Sequence, residues 1–246
     1  MLALAGSSIA LAACSSSSSG PSASSEVAKA ALIRASDLPV GYEQGKASKG
    51  NDARTAALAA KIPACADYAA QAKVDKLQDV REFSHDFSDL TTTQAGTGAT
   101  SPNTVANQVV GYASADDAKN AYEVYASSAG ETCMRKVFAK VADEAARQLS
   151  TQSSGLNLEV RSTLERVAVP PAGDANAAFG INLVVRVNGK DLQQLAFMYE
   201  VVRQGPYLVS YNATIYHQPP KHWGTRMVDS SIARLEAAMG TGGAKG

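Results

Sequence analysis

The chain has 246 residues, of which 45% are hydrophobic and 19% charged, and its 23 basic residues balance its 23 acidic ones. This length suits one good-sized domain or two small ones, and this hydrophobic content can build a packed core, which argues against global disorder. Because the sequence has no basic run or stripe, we expect no nucleic-acid partner.

Residues 1–13 are small or apolar, carry no charge and lead into Leu11-Ala12-Ala13-Cys14. The run is too short for a membrane span, which needs about 20 residues, and matches the apolar region of a signal peptide. Its ending resembles a bacterial lipobox, in which the cysteine thiol is diacylglycerated and the preceding peptide bond is cut. We therefore predict a signal peptide over 1–13 and a lipid anchor on Cys14. The alternative is a buried cysteine at a helix start. No basic residue precedes Lys29, which a start assigned too far downstream would explain.

Cys14 is followed by SSSSSGPSASS, a composition that is typical of flexible coils. We predict that residues 14–25 form the lipidated cysteine and its tether, that residues 26–240 form one folded domain, and that the tail 241–246 is disordered. The diacylglyceryl anchor would hold this domain on the extracytoplasmic face of the cell membrane.

Helical patterns dominate the first half of the chain. Pro39 and Gly41 end the first helix, and Pro63 kinks or restarts the second. Ser114 is placed to cap the third helix, and Gly130 is a weak point before the fourth. The predicted helices cover 26–35, 53–73, the residues after Ser114, and 131–149.

Strand patterns appear twice in the first half and take over the second half. Phe83, His85 and Phe87 share one side of the first strand. A phase slip at Arg166 predicts a β-bulge, and Asn188-Gly189 predicts a tight hairpin. The predicted strands cover 79–89, 104–113, 156–165, 179–187, 195–201 and 207–215, with a loop at 91–103.

A C-terminal amphipathic helix follows the last strand and carries Val228, Ile232 and Leu235 on one face, and Gly240 is predicted to be its C-cap. Several helices together with an antiparallel meander in the C-terminal half predict an α+β sandwich in a single domain.

Cys65 and Cys133 remain once Cys14 is assigned to the anchor. An exported domain meets an oxidising environment, in which disulfides persist, so we predict a Cys65–Cys133 disulfide between two helices. Two free buried thiols are the alternative. A catalytic thiol is a weaker hypothesis, because no histidine lies near either cysteine in the sequence.

The sequence contains no GxSxG, P-loop, HExxH or GxGxxG motif. His217 and His222 offer two imidazoles, but the prolines between them favour a polar linker over a metal site. Trp223 is predicted to anchor the last helix on the sheet. We therefore expect no catalytic residue, no cofactor and no metal, and a protein that is not an enzyme.

Five other residues allow two interpretations each. Tyr199, Tyr207 and Tyr211 alternate along strands, which favours core positions over a ligand platform. Asp86 and Asp89 could form an acid–base pair, although solvated charges at a strand edge are commoner.

Two stretches carry a family resemblance, SDLPVGY at 36–42 and VVGYASADDA at 109–118. Together with the lipobox, the tether and the two helical cysteines, they resemble actinobacterial, mycobacterial-type lipoproteins whose sensor-type domain is similar to the PknH-like extracellular domain of receptor serine/threonine kinases. The resemblance spans about 26–240. It implies a small ligand-sensing or partner-binding α+β domain with two disulfides, whereas this chain offers one cysteine pair and neither a transmembrane helix nor a kinase domain.

The sequence thus favours a lipid-anchored envelope lipoprotein with a non-enzymatic, sensor-like binding domain, whose partner besides the membrane is a small molecule, a lipid or a protein. An alternative is a lipid or glycolipid carrier with an apolar cavity, and a weaker one is an envelope hydrolase. An apolar cavity of several hundred cubic ångströms would favour the carrier.

Overall fold

A computed structural model describes residues 23–47, 57–89, 102–152, 158–216 and 222–242. Its strands are β1 Tyr42–Ala47, β2 Val80–Phe83, β3 His85–Asp89, β4 Thr104–Gly111, β5 Leu158–Val167, β6 Ala175–Val187, β7 Lys190–Gln204 and β8 Tyr207–Ile215. Its helices are α1 Ser25–Ala30, α2 Ala66–Lys76, α3 Ala115–Ala126, α4 Ser128–Gln152 and α5 Trp223–Gly242, with 3-10 turns at Ala35–Asp37 and Pro63–Cys65.

The strands form one antiparallel sheet of eight strands in the order β1-β3-β4-β8-β7-β6-β5, and β2 pairs with the same edge of β4 as β3. On one face, α1 and α5 cover a core that includes Phe87 and Tyr211. On the other face, α3 and α4 cover a core that includes Phe179 and Leu208. A small third cluster around Ile62 joins the start of α2 to α4. The protein is therefore an α+β domain with helices on both faces of its sheet.

The C-terminal meander forms as its alternation predicts. Asn188 and Gly189 have φ angles of 51° and 80° and make the two-residue turn between β6 and β7. Gly205, with φ 54°, lies in the turn before β8. Ser114 caps α3, since its Oγ accepts from the Asp117 amide at 3.1 Å. These features depend on residues close together in sequence.

The bulge expected at Arg166 is wrong. β5 keeps an unbroken register with β6 through Val167. The Arg166 guanidinium lies 4.9 Å from the centre of the Phe179 ring, so a cation occupies the position where the pattern predicts an apolar side chain. The register instead shifts in the β6–β7 pair, where β7 has one extra residue opposite Val185 and Arg186.

The strand predicted over 79–89 is two strands. Phe83 of β2 pairs with Gln108 and Phe87 of β3 pairs with Val105, so the register of the chain against β4 shifts by one residue between β2 and β3. A shift of one residue turns side chains to the other face of the sheet. The expectation that Phe83, His85 and Phe87 share one side is therefore wrong: Phe83 faces α2 and α4, whereas Phe87 is buried beneath α1 and α5.

Several helix ends differ from expectation. α1 ends at Ala30, earlier than the predicted 35, and α5 continues through Gly240, which is therefore not a cap. The break before α4 lies at Ser127, whose Oγ accepts from the Gly130 amide at 3.0 Å. A Cβ on Gly130 would lie 2.4 Å from the carbonyl oxygen of Val124, so this glycine permits close helix contact instead of weakening the helix.

Several predictions fall outside the described residues: the signal peptide, Cys14, most of the tether, most of the loop 91–103, His217 and the last four residues of the tail. Among the helices that are described, none is long and apolar enough to cross a bilayer.

Candidate functional site

A cavity of about 360 Å³ lies between α2 and α4 on one side and strands β4, β8, β7 and β6 on the other. Its volume is in the range of roughly 300–1,000 Å³ that is usual for small-molecule sites. The cavity lies over the part of this sheet face that α3 does not cover.

The inner surface of the cavity is mainly apolar. The sheet contributes aliphatic side chains and one aromatic ring, and α4 contributes a thioether and a second ring 6.1 Å from the first. These lining residues are Val110, Ile181, Val201, Leu208, Phe197, Met134 and Phe138. Such a surface contacts the apolar part of a ligand without offering it hydrogen bonds.

A disulfide holds the helical roof of the cavity together. The structure joins Cys65, at the start of α2, to Cys133 on α4, with their Cα atoms 4.8 Å apart. Both residues are buried, and Cys133 lines the cavity. The spacing between the two roof helices is therefore set by a covalent bond as well as by packing.

One end of the cavity is polar because it contains the buried carboxylate of Asp75 on α2. This carboxylate accepts hydrogen bonds from the hydroxyl groups of Tyr112, at 2.6 Å, and Tyr125, and from the side-chain amide of Gln71 at 2.6 Å. Asp75 is only 7% exposed, so it depends on these donors for the hydrogen bonds that water would otherwise supply.

Burial, reinforced by the charge of Asp75, raises the pKa values of Tyr112 and Tyr125 well above that of a free tyrosine. Both phenols are therefore neutral donors at physiological pH. The ring of Tyr68 stands edge-on to Tyr125, with ring centres 5.1 Å apart, and both rings line the cavity. This end presents aromatic faces with hydroxyl groups that are held in place.

The opening of the cavity is polar and charged. Lys76, Asp86 and Asn212 line it and are exposed. The guanidinium of Arg81 lies over the ring of Phe83 at 4.8 Å, and both side chains line the same edge. The site therefore combines an apolar interior with a polar end and a charged rim, which suits an amphipathic molecule.

The three tyrosines treated as a set in the sequence separate in the structure. Tyr207 and Tyr211 are 2% and 3% exposed and belong to the core beneath α5. Tyr199 lies on the opposite face and lines the cavity. The core interpretation therefore applies to Tyr207 and Tyr211, whereas the position of Tyr199 fits the ligand-platform interpretation.

The suggested acid–base pair does not form. Asp86 is exposed at the cavity rim, whereas Asp89 is buried on the other face. His222 is exposed before α5, and Trp223 stacks on Tyr42 with ring centres 6.0 Å apart, as predicted for an anchor. The described residues contain no group of three or more His, Cys, Asp or Glu side chains that could hold a metal ion.

Sequence reasoning missed Asp75 and Tyr125 as parts of the site. The second helix was expected to end at 73, which left Asp75 outside it. Tyr68, Ala72 and Asp75 follow one another at spacings of four and three, which places them on one helix face. Extending the predicted helix beyond residue 73 would have placed the Asp75 carboxylate on the same face as Tyr68 and Ala72.

No model of a protein family matches the chain, and no curated protein sequence matches it either. Among solved structures, the chain is similar to the extracellular domain of PknH from Mycobacterium tuberculosis. The TM-score is 0.41 and the identity 10%, covering 88% of this chain and 98% of that chain. A similarity at this level identifies no function.

Proposed function

We propose that the protein is a lipid-anchored domain of the cell envelope that binds a small amphipathic ligand without catalysing a reaction on it. The cavity of about 360 Å³ beneath α2 and α4 carries this proposal. Its apolar interior suits a hydrocarbon portion, and its tyrosines and charged rim suit a polar portion.

Binding fits the chemistry of the lining better than hydrolysis. Asp75 already accepts three hydrogen bonds, which occupy a carboxylate that would otherwise be available as a general base. The lining residues that the structure describes include no histidine, and Cys133 is bonded to Cys65. An envelope hydrolase would need a nucleophile next to a base.

The apolar lining also favours a second candidate function, a lipid or glycolipid carrier. A carrier and a sensor would use the same cavity and differ in the event that binding leads to. A carrier exchanges its ligand with a membrane, whereas a sensor changes its affinity for a protein partner. Purification of the domain from its envelope distinguishes the two by whether a lipid or a protein accompanies it.

The anchor rests on the lipobox-like ending at Cys14, which would place the domain on the extracytoplasmic face of the cell membrane. Mass spectrometry of the native protein is expected to find a diacylated N-terminal cysteine. Cys14→Ala is expected to release the protein into the soluble fraction. Unchanged membrane retention of this variant would overturn the anchor.

Native mass spectrometry of the protein purified from its own envelope tests the binding site. We expect a bound small molecule with the wild type and none with Ala72→Trp, which fills the cavity from α2. Ala70→Trp is the control, because Ala70 lies on the same helix and is exposed. A ligand retained equally by both variants would show that it binds outside this cavity.

A further inference from the structure

The end of α2 exposes two apolar side chains. Val74 is 47% exposed and Leu77, the C-cap of the helix, is 83% exposed. They are three residues apart and therefore lie on the same side of the helix. Lys73 and Lys76 are exposed beside them and form no ion pair with another described residue. We call these four residues the α2-end surface.

The folded chain begins next to this surface. A Cβ on Gly111 would lie 2.5 Å from the Cβ of Ala23 and 2.8 Å from Cγ1 of Val80, so these three residues meet at one point. Leu77 precedes Val80 by three residues, which keeps their Cα atoms within about 11 Å. Tyr207 holds this point in place, because its hydroxyl oxygen accepts from the Ser24 amide at 2.8 Å.

The distance to the anchor is short as well. Cys14 precedes Ala23 by nine residues, and nine residues span at most about 32 Å. We infer that the α2-end surface rests against the lipid bilayer in which Cys14 is anchored. This inference depends on the lipid anchor of the proposed function.

The chemistry of the surface suits a bilayer that contains anionic lipid. Apolar side chains can enter the headgroup region, and lysines attract lipid phosphates while their stems remain near the hydrocarbon. Of the acids in the same stretch, Asp79 is exposed, while Asp75 is turned inward and bound by its three donors. The exposed side chains from Lys73 to the C-cap Leu77 are therefore basic or apolar, and the exposed acid Asp79 follows the helix.

Part of the rim of the cavity lies at the same end of the domain. Lys76 belongs to both the α2-end surface and the cavity rim, and Arg81 lines that rim one residue after Val80. A domain resting on this surface therefore has the Lys76 and Arg81 part of its cavity rim beside the lipid headgroups. The bilayer then becomes the source of an amphipathic ligand, which identifies the ligand class as a membrane lipid.

Val40 provides a matched control position. It is fully exposed and lies two residues before Tyr42. Tyr42 pairs with Asp89 on β3, and the Asp89 amide donates to the carbonyl oxygen of Asn103, which directly precedes the Thr104 end of β4. The strand from Thr104 to Gly111 is about 23 Å long at 3.3 Å per residue. Val40 is therefore an exposed apolar side chain at the end of β4 away from the α2-end surface.

Quenching of tryptophan fluorescence by brominated lipid tests the inference. The full lipidated chain, purified from its envelope as Leu77→Trp or Val40→Trp, is reconstituted into phosphatidylglycerol vesicles with brominated phosphatidylcholine and recovered by flotation. The native Trp223 is buried and gives the same background in both. We expect lipid quenching of the Leu77→Trp emission and unchanged emission from Val40→Trp.

Each outcome has one meaning. A protein that floats and shows equal quenching at both positions, or none at position 77, overturns the inference and leaves the anchor intact. A protein that does not float overturns the anchor and the inference with it. In the Leu77→Trp background, Lys73→Glu with Lys76→Glu is expected to reduce quenching, whereas Lys136→Glu with Lys140→Glu, exposed on α4, leaves it unchanged. Equal effects of the two pairs would overturn the role of the α2-end lysines.

Discussion

Arg234 on α5 binds Asp37 through two hydrogen bonds of 2.8 Å each. The same guanidinium donates to the carbonyl oxygens of Ala30 and Leu32, both at 2.9 Å. A helix leaves its last carbonyls without partners inside the helix, and here a side chain from the last helix of the chain supplies donors at the end of the first. The pair thereby joins the two ends of the folded domain.

Replacing Arg234 with methionine is expected to lower the free energy of unfolding by about 3 kcal/mol. The reason is that the Asp37 side chain, 4% exposed, loses its partner while remaining buried. Urea unfolding measures the change. Arg226→Met, at an exposed position of the same helix, is expected to change stability by less than about 0.5 kcal/mol. Similar losses from both variants would contradict a specific role for the ion pair.

Removing the disulfide with Cys65→Ser and Cys133→Ser is expected to lower the free energy of unfolding by about 4 kcal/mol. The bond closes a loop between residues 68 positions apart, and opening it gives the unfolded chain more freedom. Wild-type protein in reductant should unfold at the same urea concentration as the double variant. If reductant leaves the wild type unaffected, the two thiols are not bonded.

Tyr125→Phe is expected to destabilise the domain by about 1–3 kcal/mol, because it removes one donor from the buried carboxylate of Asp75. Tyr122→Phe is the control, since Tyr122 lies on the same helix and is not among the described donors to Asp75. Urea unfolding compares the two. A larger loss from Tyr122→Phe would contradict the assigned role of Asp75 in organising this end of the cavity.

Alkaline pH is expected to destabilise the protein partly through Tyr42. Burial, and then the charge of Asp89, raises the pKa of Tyr42 from 10.0 to about 12. Above pH 10 the unfolded chain releases this proton while the folded protein keeps it, so the free energy of unfolding falls until about pH 12. Tyr42→Phe keeps the ring that stacks on Trp223. We expect its free energy of unfolding to decrease less over this pH range than that of the wild type. Identical pH dependence in both proteins would refute this assignment.

Gly130→Ala is expected to destabilise the protein by about 1–3 kcal/mol, because its Cβ would lie 2.4 Å from the Val124 carbonyl oxygen. Gly224 in α5 has nothing within 4 Å of a Cβ, so Gly224→Ala should stabilise by about 0.4–1 kcal/mol. Thermal unfolding of both variants measures these opposite signs. Stabilisation by both would mean that α3 and α4 do not approach closely at Gly130.

Local sequence signals predicted much of the sheet because they depend on neighbouring residues. Alternation located β6, β7 and β8, and Asn188-Gly189 located the turn between the first two. The failures occurred where a distant residue intervened. Arg166 takes an apolar position because Phe179 lies across the strand pair, and α1 ends where Arg234 binds its carbonyls.

The candidate site was less predictable than the fold. Tyr199 and Tyr211 have the same alternating pattern, yet one lines the cavity and the other fills the core. Alternation assigns side chains to two faces but contains no information about which helices cover each face. Whether α2 and α4 leave a gap above the sheet depends on their packing and on the disulfide between them.

The sequence by itself determined the class of the fold, most of its strands, the hairpin turn and the cap of α3, because each follows from periodicity or from backbone preferences of adjacent residues. It also supplied the lipobox-like ending at Cys14, which lies outside the described residues. Tertiary structure alone decided where α1 ends, which face Phe83 and Phe87 take, and that Asp75 closes one end of a cavity. These outcomes depend on contacts between residues far apart in the chain, such as Arg234 with Asp37.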